Sequence, residues 1–320
     1  MVYLKLFRLI ESYLNLEFSM ITENNQEDRI LIVGSTGDLG GTITRSLLGK
    51  GKNVRILVRP QSNYQPLVQA GAQAVLGDLK NPASLNAACK GVQFLITTAT
   101  ATKRGGSDTA TTVDLEGNHN LIDAAKRAGV KQFIFTSLSI ADPNSPVPFV
   151  QAKAKTENYL RSSNIPYTIV ASNAFMETWI ALPVGIPAIT GQSVIIVGEG
   201  KRKHSFISLN DVAKFMVASI NNPNAINQRI VIGGPKPYSM LDSVAVFEKV
   251  LNRQIPINHV APGEPVPGLP SMISEMLAGL NFFDSPIEMN ELSKLYRVEL
   301  TSMEDFANKF VESLKVDKCN

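Results

Sequence analysis

Two cysteines and three histidines in 320 residues leave little from which to build a disulfide framework or a metal centre. Cys89 and Cys319 lie far apart, and His119, His204 and His259 show neither His-Glu-x-x-His nor Cys-x-x-Cys spacing, so we expect no metal and a reducing compartment, read as cytoplasmic. The net charge of +3 is spread along the chain without a basic stripe, which argues against nucleic acid as the main partner. Long apolar runs are missing too. Lys5, Arg8, Glu11 and Glu17 interrupt the opening segment Met1 to Met20, well short of the roughly 20 apolar residues a membrane span needs. That segment also lacks the unbroken apolar centre and small-residue cleavage site of a signal peptide. Leu6, Phe7, Ile10 and Leu14 recur at helical spacing, so residues 1–28 read as an N-terminal extension: either a loose leader or an amphipathic helix lying on a partner or membrane surface.

The informative stretch runs from Ile30 to Gly41: Ile-Leu-Ile-Val, then Gly34-Ser35-Thr36-Gly37-Asp38-Leu39-Gly40-Gly41. Four aliphatic residues entering glycines at 34, 37 and 40 predict a buried strand, a tight turn and a helix whose first N–H groups face an anion. Gly34 allows the turn, Gly37 admits the backbone to a pyrophosphate, and Gly40 lets the helix press on the sheet. The next strand, Val54 to Val58, ends in Arg59-Pro60 where a carboxylate would favour NAD. Arg59 pairs with a 2′-phosphate instead, so the expected cofactor is NADP, with NADPH preferred over NADH.

Beyond this unit, strands and helices alternate. We expect helices at Thr42–Lys50, Pro66–Ala70, Pro82–Ala88, Asp108–Ala128, Val150–Ser162 and Asp211–Ile220, the last capped by Asn210. Strands are expected at Ala74–Leu76, Gln93–Thr97, Gln132–Thr136 and Tyr167–Val170. Such alternation means a doubly wound parallel α/β sheet of the Rossmann type. After Asn221 prolines punctuate short segments, giving a small C-terminal substrate lobe over 222–320 beside a dinucleotide-binding domain over 29–221, with part of 171–210 contributing to the cleft. A capping box from Thr301 to Glu304 opens the last helix.

These residues resemble the NmrA-like group of atypical short-chain dehydrogenase/reductases, which includes isoflavone-reductase-like proteins. The likeness covers about Ile30 to Asn221, with a weaker tail. It rests on the glycine turn, on Val58-Arg59-Pro60, Gly77-Asp78-Leu79 and Asn120 to Val130, and on Phe133-Ile-Phe-Thr-Ser137 and Ile207 to Ala213. The resemblance implies that Asp78 and Leu79 lie against adenine, that Thr97, Thr98 and Ala99 line the adenosine ribose, and that Asn173 and Phe175, followed by Met176, form the cleft wall near the nicotinamide. A helix-capping role for Asp78 is equally open.

The chain departs from the wider family at the proton donor. Carbonyl-reducing members carry Tyr-x-x-x-Lys, because a lysine one turn away eases the tyrosine's proton transfer. Here the matching residues are Phe149 and Lys153, and phenylalanine has no proton to give. Lys153 remains as a ribose ligand or donor, or else it pairs with Glu157 on a solvated face. Leu138 stands where relatives carry a polarising hydroxyl, leaving Ser137 and Ser139 as substitutes or as backbone-bonded strand-end residues. Two readings therefore stand. One is an NAD(P)H-dependent oxidoreductase passing hydride to a small carbonyl or conjugated acceptor; the other is a non-catalytic NADP(H)-sensing or assembly-factor protein. A sugar-nucleotide epimerase is weakened by the same loss of tyrosine. Oligomeric state is not legible.

Overall fold

The computed structural model describes residues 28–102, 104–269 and 271–316; the Met1 to Met20 segment and Cys319 lie outside them. Nine strands are present among the described residues: β1 (Ile30–Val33), β2 (Val54–Val58), β3 (Gln73–Leu76), β4 (Phe94–Thr97), β5 (Gln132–Leu138), β6 (Tyr167–Ser172), β7 (Val194–Val197), β8 (Gln228–Ile232) and β9 (Ile257–Val260). Seven form one parallel sheet in the order β3-β2-β1-β4-β5-β6-β8, and β7 pairs with β9 in a separate parallel ribbon.

Twelve α-helices connect them. They are α1 (Asp38–Gly49), α2 (Gln65–Gln69), α3 (Pro82–Cys89), α4 (Glu116–Arg127), α5 (Pro148–Ser162), α6 (Met176–Trp179) and α7 (Ile186–Thr190), then α8 (Leu209–Ala218), α9 (Met240–Leu251), α10 (Ser271–Gly279), α11 (Asn290–Tyr296) and α12 (Met303–Val316).

The aliphatic strand runs follow from burial on both faces. Successive strand side chains point to opposite sides. Ile30 and Ile32 thus join one core with Ile43 and Leu47 of α1 and Phe215 of α8. Leu31 and Val33 join the other, with Leu85 of α3, Leu121 of α4 and Leu160 of α5. A third core, around Ile180, Val184, Ile196, Phe247 and Phe306, belongs to the segments beyond the sheet.

Several boundaries differ from the sequence reading for local chemical reasons. Helix α1 starts at Asp38, because Gly37 in extended conformation is its N-cap. Helix α8 is capped by Ser208, whose hydroxyl accepts from the Asp211 N–H, in place of Asn210. The last helix is opened by Ser302, accepting from the Asp305 N–H at 3.0 Å, while the expected cap Thr301 donates its N–H to buried Asp211 at 2.6 Å. The continuous helix expected from Asp108 begins with a wide π-turn over Ala110–Leu115. That turn puts Asp114 fully inside the protein. Strand β8, although it follows residue 221, completes the main sheet against β6.

Candidate functional site

The sheet reverses its order at β1, from which the chain builds outward to β2 and β3 on one side and to β4, β5, β6 and β8 on the other. Open α/β sheets bind ligands in the crevice beyond the strand ends at such a reversal, and the glycine turn stands there. Gly34 takes φ +88°, and a Cβ on it would lie 2.7 Å from Thr98 Oγ1 and 2.9 Å from the Ala99 nitrogen. A Cβ on Gly40 would fall onto the Gly34 carbonyl, so helix and turn touch backbone to backbone. Ser35 is 1% exposed, yet its hydroxyl has no hydrogen-bond partner. A buried donor without an acceptor is unfavourable, and an anion seated in the turn would satisfy it. The turn therefore fits a diphosphate.

Beside it, a solvent-open cleft of about 350 Å³ is lined by Gly34, Thr36, Arg59, Asp78, Leu79, Ala99 and Arg104. The tertiary structure thus gathers most of the residues assigned to the adenosine end. Thr97 is an exception: 1% exposed, it donates its hydroxyl to Asn118 Oδ1 at 3.1 Å, behind the cleft. Asp78 is not the cap of α3; Asn81 accepts from Ala83 and Ser84, and Asp78 Oδ1 receives the Lys80 N–H at 2.8 Å.

Arg59 is no free strand-end residue, because its Nη1 lies 2.7 Å from Asp108 Oδ2. Lys80 Nζ approaches Asp108 Oδ1 at 2.5 Å and Arg104 Nη1 approaches Oδ2 at 3.4 Å. The hydrogen bond from Lys80, with the charges of Arg104 and Arg59, holds the Asp108 carboxyl below its ordinary range. Lys80, Arg104 and Asp108 were not singled out in the sequence: Arg104 and Asp108 are four apart, but no local spacing links them to Arg59 or Lys80.

At the other end of the sheet mouth, Lys153 is buried rather than solvated. Its Nζ lies 3.3 Å from Asp114 Oδ1 and over the rings of Phe135 and Phe149, at 5.0 and 5.6 Å from their centroids. The surface pairing with Glu157 is absent. Glu157 is itself buried and accepts the Ser137 hydroxyl at 2.5 Å, Arg161 at 2.8 Å and Arg229 at 2.9 Å. Ser137 therefore has its proton committed inside the protein. Ser139 is half-buried just past β5, its N–H bonded to the Ser172 carbonyl at 2.9 Å. Asp114 Oδ2 accepts the Ala101 N–H at 2.9 Å, which joins the lysine site to the loop that follows Ala99 at the cleft.

Asn173 does not extend freely into the crevice. Its amide donates to the Ser285 carbonyl at 2.8 Å and to Ser285 Oγ at 3.1 Å. Ser285 Oγ lies 2.7 Å from Nδ1 of His204, whose Nε2 donates to the Leu280 carbonyl at 3.0 Å, and burial lowers the His204 pKa. This chain ties the 280–287 segment over the end of β6. Phe175 is half-buried, N-caps α6 and pairs with Ile207 through a backbone bridge. Lys201, Arg202 and Lys203, adjacent cations on the surface, pair with Glu199, Asp284 and Asp242 in turn.

No three metal-type ligands cluster among the described residues, and no helix among them is long and apolar enough to cross a membrane. The chain is 32% identical to the photosystem II assembly factor Ycf39 of Guillardia theta, over 72% of this chain and 73% of that protein. It is 29% identical to an NAD(P)H azoreductase of Xenophilus azovorans, over 72% of this chain and 76% of that enzyme. The crystal structure of a Citrobacter triphenylmethane reductase complexed with NADP(H) shares the fold: TM-score 0.74 at 22% identity, covering 88% of this chain and 99% of that one. The NmrA-like family profile matches residues 26–308, from the strand before the glycine turn into the last helix, and the chain belongs to the NmrA-like family.

Proposed function

We propose that this chain is an NADPH-dependent oxidoreductase that reduces a small carbonyl or conjugated acceptor. The observation that carries the reading is the glycine turn at the sheet's reversal. There the buried Ser35 hydroxyl lacks a partner, next to a cleft floored by Arg59 and Arg104. The N–H groups of the turn and the Ser35 hydroxyl hold the diphosphate, Arg59 holds the 2′-phosphate, and Leu79 and Ala99 pack on the adenosine. When bound, the nicotinamide supplies a hydride to the acceptor.

What this chain's residues do is orient and protonate. Lys153, fixed by Asp114 and by two aromatic rings, holds a proton at Nζ for the nicotinamide ribose or for the oxygen that forms as the acceptor is reduced. Ser139 positions a water at the mouth of β5. Ser137 donates to Glu157, which fixes Arg229, and Arg229 donates to the carbonyl of Leu138 and so holds the end of that strand. The half-buried Phe149 gives the acceptor an apolar wall where the wider family has tyrosine. The buried Cys89, a free thiol, supports a reducing compartment, proposed as the cytoplasm.

A second reading is favoured by the relatives named as photosystem II assembly factors and by the missing tyrosine: the protein binds NADPH and changes partner contacts without turnover. The test is NADPH oxidation, followed by absorbance, across aldehydes, quinones and enones. The expected outcome is turnover with at least one acceptor, lost in Lys153→Ala. Tight NADPH binding with no oxidation across the panel overturns the reductase and leaves the assembly reading.

A further inference from the structure

One carboxylate stands among three cations at the adenosine end of the cleft. Asp108 receives Arg59 at 2.7 Å, Lys80 at 2.5 Å and Arg104 at 3.4 Å, and its side chain is only 7% exposed. Three positive charges meet one negative within ion-pair distance, and the Asp78 carboxylate lines the same cleft without pairing with any of them. No other carboxylate among the described residues forms an ion pair with these cations. A phosphate monoester near neutral pH carries close to two negative charges and three acceptor oxygens. The trio therefore suits a phosphate better than it suits the carboxylate it holds.

The two anions cannot share the trio without repulsion, since Asp108 already contacts all three cations. The segment before Asp108 has room around its backbone and is held by hydrogen bonds from Lys80 and Thr112 to Ser107. Gly105 and Gly106 precede it, a Cβ on either would meet nothing within 4 Å, and Gly106 takes φ +67°. Neither glycine is required by close packing. Gly106 instead gives the loop a backbone conformation that other residues rarely adopt.

Resting on the proposed NADPH binding, we infer that Asp108 is a specificity-determining residue that competes with the 2′-phosphate for Arg59, Lys80 and Arg104. When NADPH binds, the phosphate takes Asp108's place and the 105–108 loop swings outward. NADH, without that phosphate, leaves the carboxylate where it is. Asp108 thus sets how strongly the site prefers NADPH, acting against Arg59.

The experiment is calorimetric titration of the full chain and of Asp108→Asn with NADPH and NADH, repeated with adenosine 2′,5′-bisphosphate and 5′-AMP as probes of the adenosine end. Removing the competing charge raises the NADPH-to-NADH affinity ratio by about tenfold and raises the bisphosphate-to-AMP ratio in parallel. Asp108→Ala gives the same direction and guards against a new contact from asparagine. A ratio that is unchanged or lowered in both variants, in a wild-type chain that does prefer NADPH, overturns the competition and leaves the proposed function standing. A wild-type chain that binds neither dinucleotide removes the proposed function and this inference together.

Discussion

Lys153 Nζ stands 3.3 Å from Asp114 Oδ1, and both side chains are buried, the lysine 5% exposed and the aspartate not at all. Removing one partner of a buried pair strands the other charge away from water. Asp114→Asn should lower the unfolding free energy by about 3–5 kcal/mol, and adding Lys153→Met should restore most of it. Urea denaturation of the two variants checks this. A single variant as stable as wild type would show that the pair is not made in the folded protein.

Gly40 and Gly49 occupy the same helix and differ in what surrounds them. A Cβ on Gly40 meets the Gly34 carbonyl, whereas one on Gly49 meets nothing within 4 Å. Gly40→Ala should therefore destabilise by about 1–3 kcal/mol and abolish dinucleotide binding. Gly49→Ala should stabilise by about 0.4–1 kcal/mol and leave binding alone. Thermal melts with and without NADPH separate the two, and equal behaviour would contradict the contact.

Arg59 faces the cleft that we assign to the adenosine end. Arg59→Glu should weaken NADPH by about 1.5–3 kcal/mol, roughly ten- to a hundredfold, with much less effect on NADH. Titration with both dinucleotides measures the difference. Equal losses would remove the 2′-phosphate assignment.

Cys89 is fully buried on α3, and burial pushes its thiol up to about 12 from an ordinary 9.0. The folded state thus keeps a proton that the unfolded chain gives up. Stability is unaffected below pH 9 and falls as pH rises from about 9 toward 12, by about 1.4 kcal/mol per pH unit for this one group. A Cys89→Ala variant should lose that component of the alkaline decline. Alkylation at pH 8, read by mass spectrometry of the Cys89 peptide, should proceed only on unfolding; rapid modification of the native protein would place the thiol at the surface.

The sequence was legible where neighbours in the chain are also neighbours in space. The four aliphatics into the glycine turn, the strand ending at Arg59 and the alternation of strand and helix are local patterns. Strand β2 was placed correctly to the residue, its aliphatic side chains buried on both faces, and β3, a half-exposed strand at the sheet edge, to within one. The cap positions were less legible. Ser208 and Asn210, or Thr301 and Ser302, are interchangeable by local propensity, and Thr301 was claimed by Asp211, some ninety residues away.

What the sequence by itself determined is the parallel sheet and the glycine turn at its reversal, since both depend on backbone conformations that a few adjacent residues impose. Only the tertiary structure decided the charges around them. Asp108 among Arg59, Lys80 and Arg104, Asp114 against Lys153, and Glu157 between Ser137 and Arg229 join residues from 4 to 72 positions apart. Apart from Arg104 and Asp108, four residues apart, no local spacing carries such pairings. They arise because folding removes these groups from water, and each buried charge must then find its partner among whatever the topology has brought within reach.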